Sequence, residues 1–99
     1  MSRVRVLLFH EAPSPEGLTE AYHAVSADLA GTPGLLGNEL LTAVDDPTWF
    51  LVMSEWTDLD AFTKWEQGAS HKGSTAPLRR YRDTRMTRPY GIFKVDAEY

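Results

Sequence analysis

Between Trp49 and Gly68 the apolar pattern changes its period in a single step, and that change limits what the rest of the chain can become. Trp49-Phe50-Leu51-Val52-Met53-Ser54-Glu55-Trp56 reads as a strand, in which Phe50, Val52, Ser54 and Trp56 share one face. Thr57, with Asp60 three residues on, has the spacing of a capping box, and Asp58 adds negative charge where a helix dipole is positive. The helix that starts there repeats Leu59, Phe62 and Trp65 at three-residue steps with Ala61 beside them, and Gly68 ends it. A strand that passes straight into an amphipathic helix calls for a layered fold with a helix packed on a sheet.

The remaining segments fit that layer scheme. Arg3 to His10 is β-branched and apolar and is closed by Pro13 and Pro15, which predicts a first strand with Val4, Val6, Leu8 and His10 on one face and Arg5, Leu7 and Phe9 on the other. A helix is expected from about Leu18 to Ala30, with Leu18, Ala21, Tyr22, Val25 and Leu29 as its apolar stripe, stopped by Gly31 to Gly34. Leu35 to Val44 reads as a second strand with Leu36, Leu40 and Val44 on one face, and the turn Asp45 to Thr48 joins it to the third strand as an antiparallel hairpin. After Gly68 the chain is polar and broken by Gly73 and Pro77, with a short helix expected around Leu78 to Arg82. Tyr90 to Tyr99 alternates as a last strand entered through Pro89.

The order is β-α-β-β-α-β, the split arrangement of a ferredoxin-like α+β fold: one domain over residues 1–99, with a four-stranded antiparallel sheet and its helices on one face. Such a sheet leaves its other face bare, and that face carries too many Leu, Val, Phe and Trp residues for water. A homodimer packed through the open sheet face is the expected cover.

Composition narrows the function. A net charge of −4 argues against a duplex nucleic-acid binder. No Cys is present, which excludes disulfides, thiolate metal sites and a Cys nucleophile. No apolar run approaches the roughly 20 residues needed to span a bilayer, and the N-terminal run Val4 to Phe9 is too short for a secretory signal, so a cytoplasmic protein with no membrane partner is expected. The three His lack metal-ligand spacing, and there is no glycine-rich phosphate loop or dinucleotide fingerprint, so no metal, flavin or nicotinamide cofactor is expected. Basic charge concentrates in Arg79, Arg80, Arg82, Arg85 and Arg88, the one stretch that would attract an anion or close over a ligand.

The candidate site residues gather around the strand-to-helix junction. His71, delivered just beyond the helix, can act as a base toward a phenol or an acidic C–H, because an imidazole titrates near neutrality. Trp56 offers a flat wall and an indole N–H that can donate to a substrate oxygen. Phe62 and Trp65 lie on the apolar helix face, Tyr22 brings a hydroxyl from the first helix, and His10 stands at the end of the first strand. Each has an ordinary reading as well: core aromatics for the rings, a backbone-bonded or exposed imidazole for the two His.

Pro33 to Gly37, the Asp-Pro hairpin, and Trp56 followed by Asp60-Ala61-Phe62, Trp65 and Ser70-His71 resemble the antibiotic biosynthesis monooxygenase family, whose members are dimeric α+β barrel proteins. The resemblance spans essentially the whole chain. It implies a small cofactor-independent oxygenase or tailoring enzyme acting on an aromatic, polyketide-like phenol or anthrone, with His71 as base and Trp56, Phe62, Trp65, Tyr22 and His10 binding the substrate. Where the anthrone-oxidising type carries an Asn four positions before the strand-end Trp and a Tyr six after it, this chain has Val52 and Phe62. A second reading is a non-catalytic ligand-binding or assembly dimer in a biosynthetic pathway. A third, haem binding or degradation, is opposed by the absence of Asn from the first strand and by the spacing of His71 from Trp65.

Overall fold

The computed structural model describes residues 2–68 and 71–99, with side chains throughout except at positions 71–74. Its elements are β1 (Val4–Glu11), α1 (Pro15–Leu29), β2 (Leu35–Ala43), β3 (Asp46–Trp56), α2 (Leu59–Glu66), α3 (His71–Arg79) and β4 (Tyr90–Lys94). The strands form one sheet in the order β2-β3-β1-β4 with every neighbouring pair antiparallel, which is the ferredoxin-like arrangement.

Register decides which residues meet the helices. Val4, Val6, Leu8 and His10 of β1 stand opposite Trp56, Ser54, Val52 and Phe50 of β3, and these eight share the helix-covered face. The core on that face has two joined parts. Leu18, Ala21, Val25 and Leu29 of α1 pack with Phe50, Val52 and Leu78, while Phe62 of α2 packs with Val4, Val6 and Trp56. The opposite face presents Leu7 and Phe9 of β1 beside Leu51 and Trp49 of β3, with Phe93 of β4 and Leu41 of β2 further out. Phe9 and Trp49 stack there at 5.9 Å.

Local chemistry places several element ends differently from the sequence pattern. Strand β3 takes in Asp46, Pro47 and Thr48, so the hairpin turn is Val44-Asp45 and not Asp45 to Thr48. The cap of α2 is Asp58, not Thr57: its carboxylate accepts from the backbone N of Ala61 at 2.9 Å, and a carboxylate is the better acceptor for that donor. Helix α1 begins earlier, at Pro15, because a proline loses no hydrogen bond in the first turn. Helix α3 lies earlier than the expected Leu78 to Arg82 and holds Pro77 inside it. Strand β4 stops at Lys94, which pairs with Val4, the first residue of β1; a single further bond, from the Val95 N–H to the Arg3 carbonyl at 2.9 Å, ends the ladder. In β2, the bulge between Leu35 and Gly37 breaks the alternation, so Leu36 points to solvent while Leu35 and Leu40 pack inward, and Val44 lies past the strand end, exposed in the turn.

Candidate functional site

Between the sheet and its helices lies a cavity of about 260 Å³. That is just below the range for small-molecule sites, roughly 300–1,000 Å³. Its aromatic wall is made at the β3–α2 junction. Trp56 is 1% exposed, and its ring centroid lies 5.5 Å from those of both Phe62 and Trp65. The Trp56–Phe62 pair meets edge to face at 72°, an arrangement that fixes the rings beyond simple burial. Val6, Leu8, Val25, Leu29, Val52 and Ile92 supply the other apolar surface.

Polar groups enter from both the sheet and the helices. From α1, the Tyr22 hydroxyl and the Ser26 hydroxyl both donate to Oδ1 of Asn38 on β2, the latter at 3.0 Å. The Asn38 amide nitrogen has no partner among the described residues, and Asn38 lines the cavity. From β3, Ser54 Oγ accepts the indole N–H of Trp56 at 2.9 Å. The donor expected to reach a substrate oxygen is therefore already bound, and the hydroxyl proton of Ser54 takes its place as the available donor on that strand.

From β1 comes His10, only 4% exposed rather than displayed at a strand end. Its Nδ1 lies 2.9 Å from the backbone carbonyl of Leu8. A carbonyl can only accept, so Nδ1 carries the proton and Nε2 is left with its lone pair. Burial holds this imidazole below its ordinary range; the Leu8 carbonyl works against that, the Arg82 charge adds to it and Asp83 opposes it. His10 is thus a neutral imidazole in the cavity wall.

The Arg-rich segment divides into distinct roles. Arg79 and Arg82 line the cavity with Glu66 and Thr75. Arg80 lies over the ring of Tyr81 at 5.3 Å. Arg85 is committed elsewhere: its guanidinium grips the buried carboxylate of Asp83 at 3.0 and 3.1 Å and reaches Glu11 at 3.1 Å. Hydrogen bonds from the Arg85 side chain, above all, hold the Asp83 carboxyl below the usual carboxylate range.

Of the residues expected from sequence, Trp56, Phe62, Trp65, Tyr22 and His10 all border this one cavity. His71 opens α3 with its backbone, and its side chain lies outside the described residues, as does the whole of Ser70. Asn38, Ser54 and Ser26 were missed as site residues, and Arg82 was named only as one of five arginines in a basic stretch. Asn38 and Ser54 each put a polar side chain at a strand position whose neighbours on the same face are apolar, which was the signal available. Among the described residues no group of three or more His, Asp or Glu could hold a metal ion, and no helix is long and apolar enough to cross a membrane.

Comparison with known proteins adds an independent line. The family model for antibiotic biosynthesis monooxygenases matches residues 4–75. Protein SchA of Streptomyces halstedii is 33% identical over 101 residues, covering 98% of this chain and 26% of the relative. A 42.8 kDa protein in the whiE locus of Streptomyces coelicolor is 33% identical over 97 residues, covering 94% and 24%. The chain therefore spans about a quarter of the length of these curated relatives. Among solved structures, SnoaB, a cofactor-independent oxygenase from Streptomyces nogalater, shares the fold with a TM-score of 0.79 at 22% identity, over 99% of this chain and 97% of its own.

Proposed function

Because the chain belongs to the antibiotic biosynthesis monooxygenase family, we propose that its cavity binds a planar phenolic aromatic of the anthrone type and oxidises it with O2, using no cofactor. The observation that carries this reading is the cavity itself: three packed aromatic rings form part of its wall, and polar side chains reach it from both the sheet and the helices, among them His10, Asn38, Ser54 and Arg82. A flat ring system stacks on such a wall, while Asn38 and Ser54, paired across β2 and β3, offer donors to its oxygens. They supply what Val52 and Phe62 do not. The fold shared with SnoaB, a cofactor-independent oxygenase, supports the same chemistry.

The reaction needs a base and a dry site. Removal of one proton from the methylene of an anthrone leaves an electron-rich carbanion, which passes an electron to O2; the two radicals join as a peroxide, and loss of water from the protonated peroxide leaves the quinone. One O2 is consumed and one water released. The base in this scheme is an imidazole of this chain: the sequence pattern points to His71, whose side chain lies outside the described residues, and the described imidazole that lines the cavity is His10. The apolar walls exclude water from the carbanion, which would otherwise be reprotonated. The open sheet face is part of the same proposal, packing against a second copy of the chain.

The test is direct. Dithranol, a dihydroxyanthrone, added in air to the metal-free purified protein should be converted to its quinone, danthron, well above the buffer rate. Conversion no faster than in buffer contradicts the proposal.

A further inference from the structure

We propose that His10 and Arg82 act as a pair in this cavity: Nε2 of His10 accepts the proton of a phenolic or anthrone substrate, and the Arg82 guanidinium holds the oxyanion left behind. The inference rests on the aromatic-oxygenase reading and assigns its proton acceptor and its counter-charge.

Backbone pairing supports it first. Residues 81–83 return alongside the end of β1, where the N–H of Glu11 donates to the Tyr81 carbonyl at 2.8 Å and that of Asp83 to the Phe9 carbonyl at 3.1 Å. These two bonds bracket His10 and Arg82, which form an isolated antiparallel bridge. A pair bracketed in this way exchanges no bond of its own; its side chains stand on the same face and are the closer of the two antiparallel types. Both line the cavity.

Each partner is also left available. With Nδ1–H given to Leu8, the lone pair of Nε2 has no protein partner among the described residues. Arg82 makes no ion pair or side-chain hydrogen bond among them. The reason lies next door. Asp83 and Glu11, the carboxylates nearest the bridge, are held by Arg85, so the one guanidinium spares the other for a ligand. The remaining titratable groups around the cavity among the described residues are Glu66 of α2, Arg79 of α3, Tyr22 of α1 and Tyr90 of β4.

The step balances. A substrate C–H or O–H bond breaks, an N–H bond forms at Nε2, and the electron pair stays on the substrate as an enolate or phenolate beside Arg82. After O2 has accepted electrons and formed the peroxide, the proton on Nε2 returns to the peroxide oxygen, and water leaves. An anthrone oxygen on Arg82 places its negative charge beside a positive charge at the cavity wall.

Danthron, the phenolic quinone, reports the pair without turnover because its phenolate absorbs at longer wavelength than its phenol. Bound to the wild type, it should show the phenolate band at a pH where free danthron is neutral, and His10→Gln and Arg82→Gln should each lose that band. With dithranol, His10→Gln should lower kcat/KM by about 100-fold and flatten the acid limb of its pH profile. Arg82→Gln should move that limb to higher pH, since the guanidinium no longer opposes charging of His10. Arg82 is exposed, so its variant tests the pair even where His10→Gln fails to fold. Identical danthron spectra in wild type and Arg82→Gln overturn the pair, as does an acid limb removed by His71→Ala and kept by His10→Gln. Ionised danthron without oxidation of dithranol retains the pair and removes the oxygenase reading; no binding of either compound overturns both.

Discussion

At the scale of single residues, His10 shows how a neighbour distant in sequence changes what a side chain is. From the sequence it is an imidazole at the end of a strand, and its face was legible from the alternation with Val4, Val6 and Leu8. Its burial was not, because the cover comes from residues 81–83, a polar stretch with no periodicity to announce a return to β1. Burial has a thermodynamic consequence. The unfolded chain takes up a proton on this residue near pH 6.5, whereas the folded chain resists it to lower pH. The unfolded state thus binds more protons as pH falls below that value, and stability falls with it. Urea unfolding at about pH 7.5 and about pH 5.5 should show this loss in the wild type and a smaller one in His10→Gln. An equal loss in both would mean that His10 is charged in the folded protein. Trp56 was legible differently: the sequence marked it as a wall, and the structure adds that its N–H is already taken by Ser54.

Element by element, the sequence was clearest where one period runs unbroken. The α1 stripe, the β3–α2 junction and the hairpin follow from apolar spacing and turn chemistry. It was obscure where backbone hydrogen bonding overrides spacing. The bulge between Leu35 and Gly37 turns Leu36 outward, and α3 forms through Gly73 and Pro77, residues that argue against a helix on propensity. One residue ties the α1–β2 connection to α2. Gly34 has φ of +85°, a Cβ there would lie 2.3 Å from that of Ala61, and its carbonyl accepts from the Thr57 N–H at 2.8 Å. Gly34→Ala must both adopt an unfavourable backbone conformation and push α2 away from the junction that carries Trp56. A loss of about 2–3 kcal/mol is expected in chemical denaturation. Unchanged stability would show that α2 can shift freely, and the aromatic wall with it.

For the whole molecule, the two faces of the sheet have different fates. One is closed by helices around a cavity. The other leaves apolar side chains in contact with solvent, with Phe93 at 56%, Leu41 at 38% and Trp49 at 36% exposure around the half-buried Leu7, Phe9 and Leu51. An apolar surface this continuous is a strong drive to associate. Sedimentation should give a dimer of the 11.1 kDa chain, and Leu51→Glu, which sets a charge at the middle of the face, should give a monomer. A wild type that sediments as a monomer at micromolar concentration would contradict this. The cavity lies on the opposite face, so the account assigns association and chemistry to separate surfaces of one sheet.

On the proposed reading, this cavity lets O2 react with an aromatic substrate using only the groups of the chain. The most direct test supplies dithranol to the metal-free protein under isotopically labelled O2 and weighs the product. Danthron carrying one labelled oxygen atom at the oxidised carbon is expected; product labelled from water instead, or dithranol bound and returned unchanged, would contradict the proposed oxygenase.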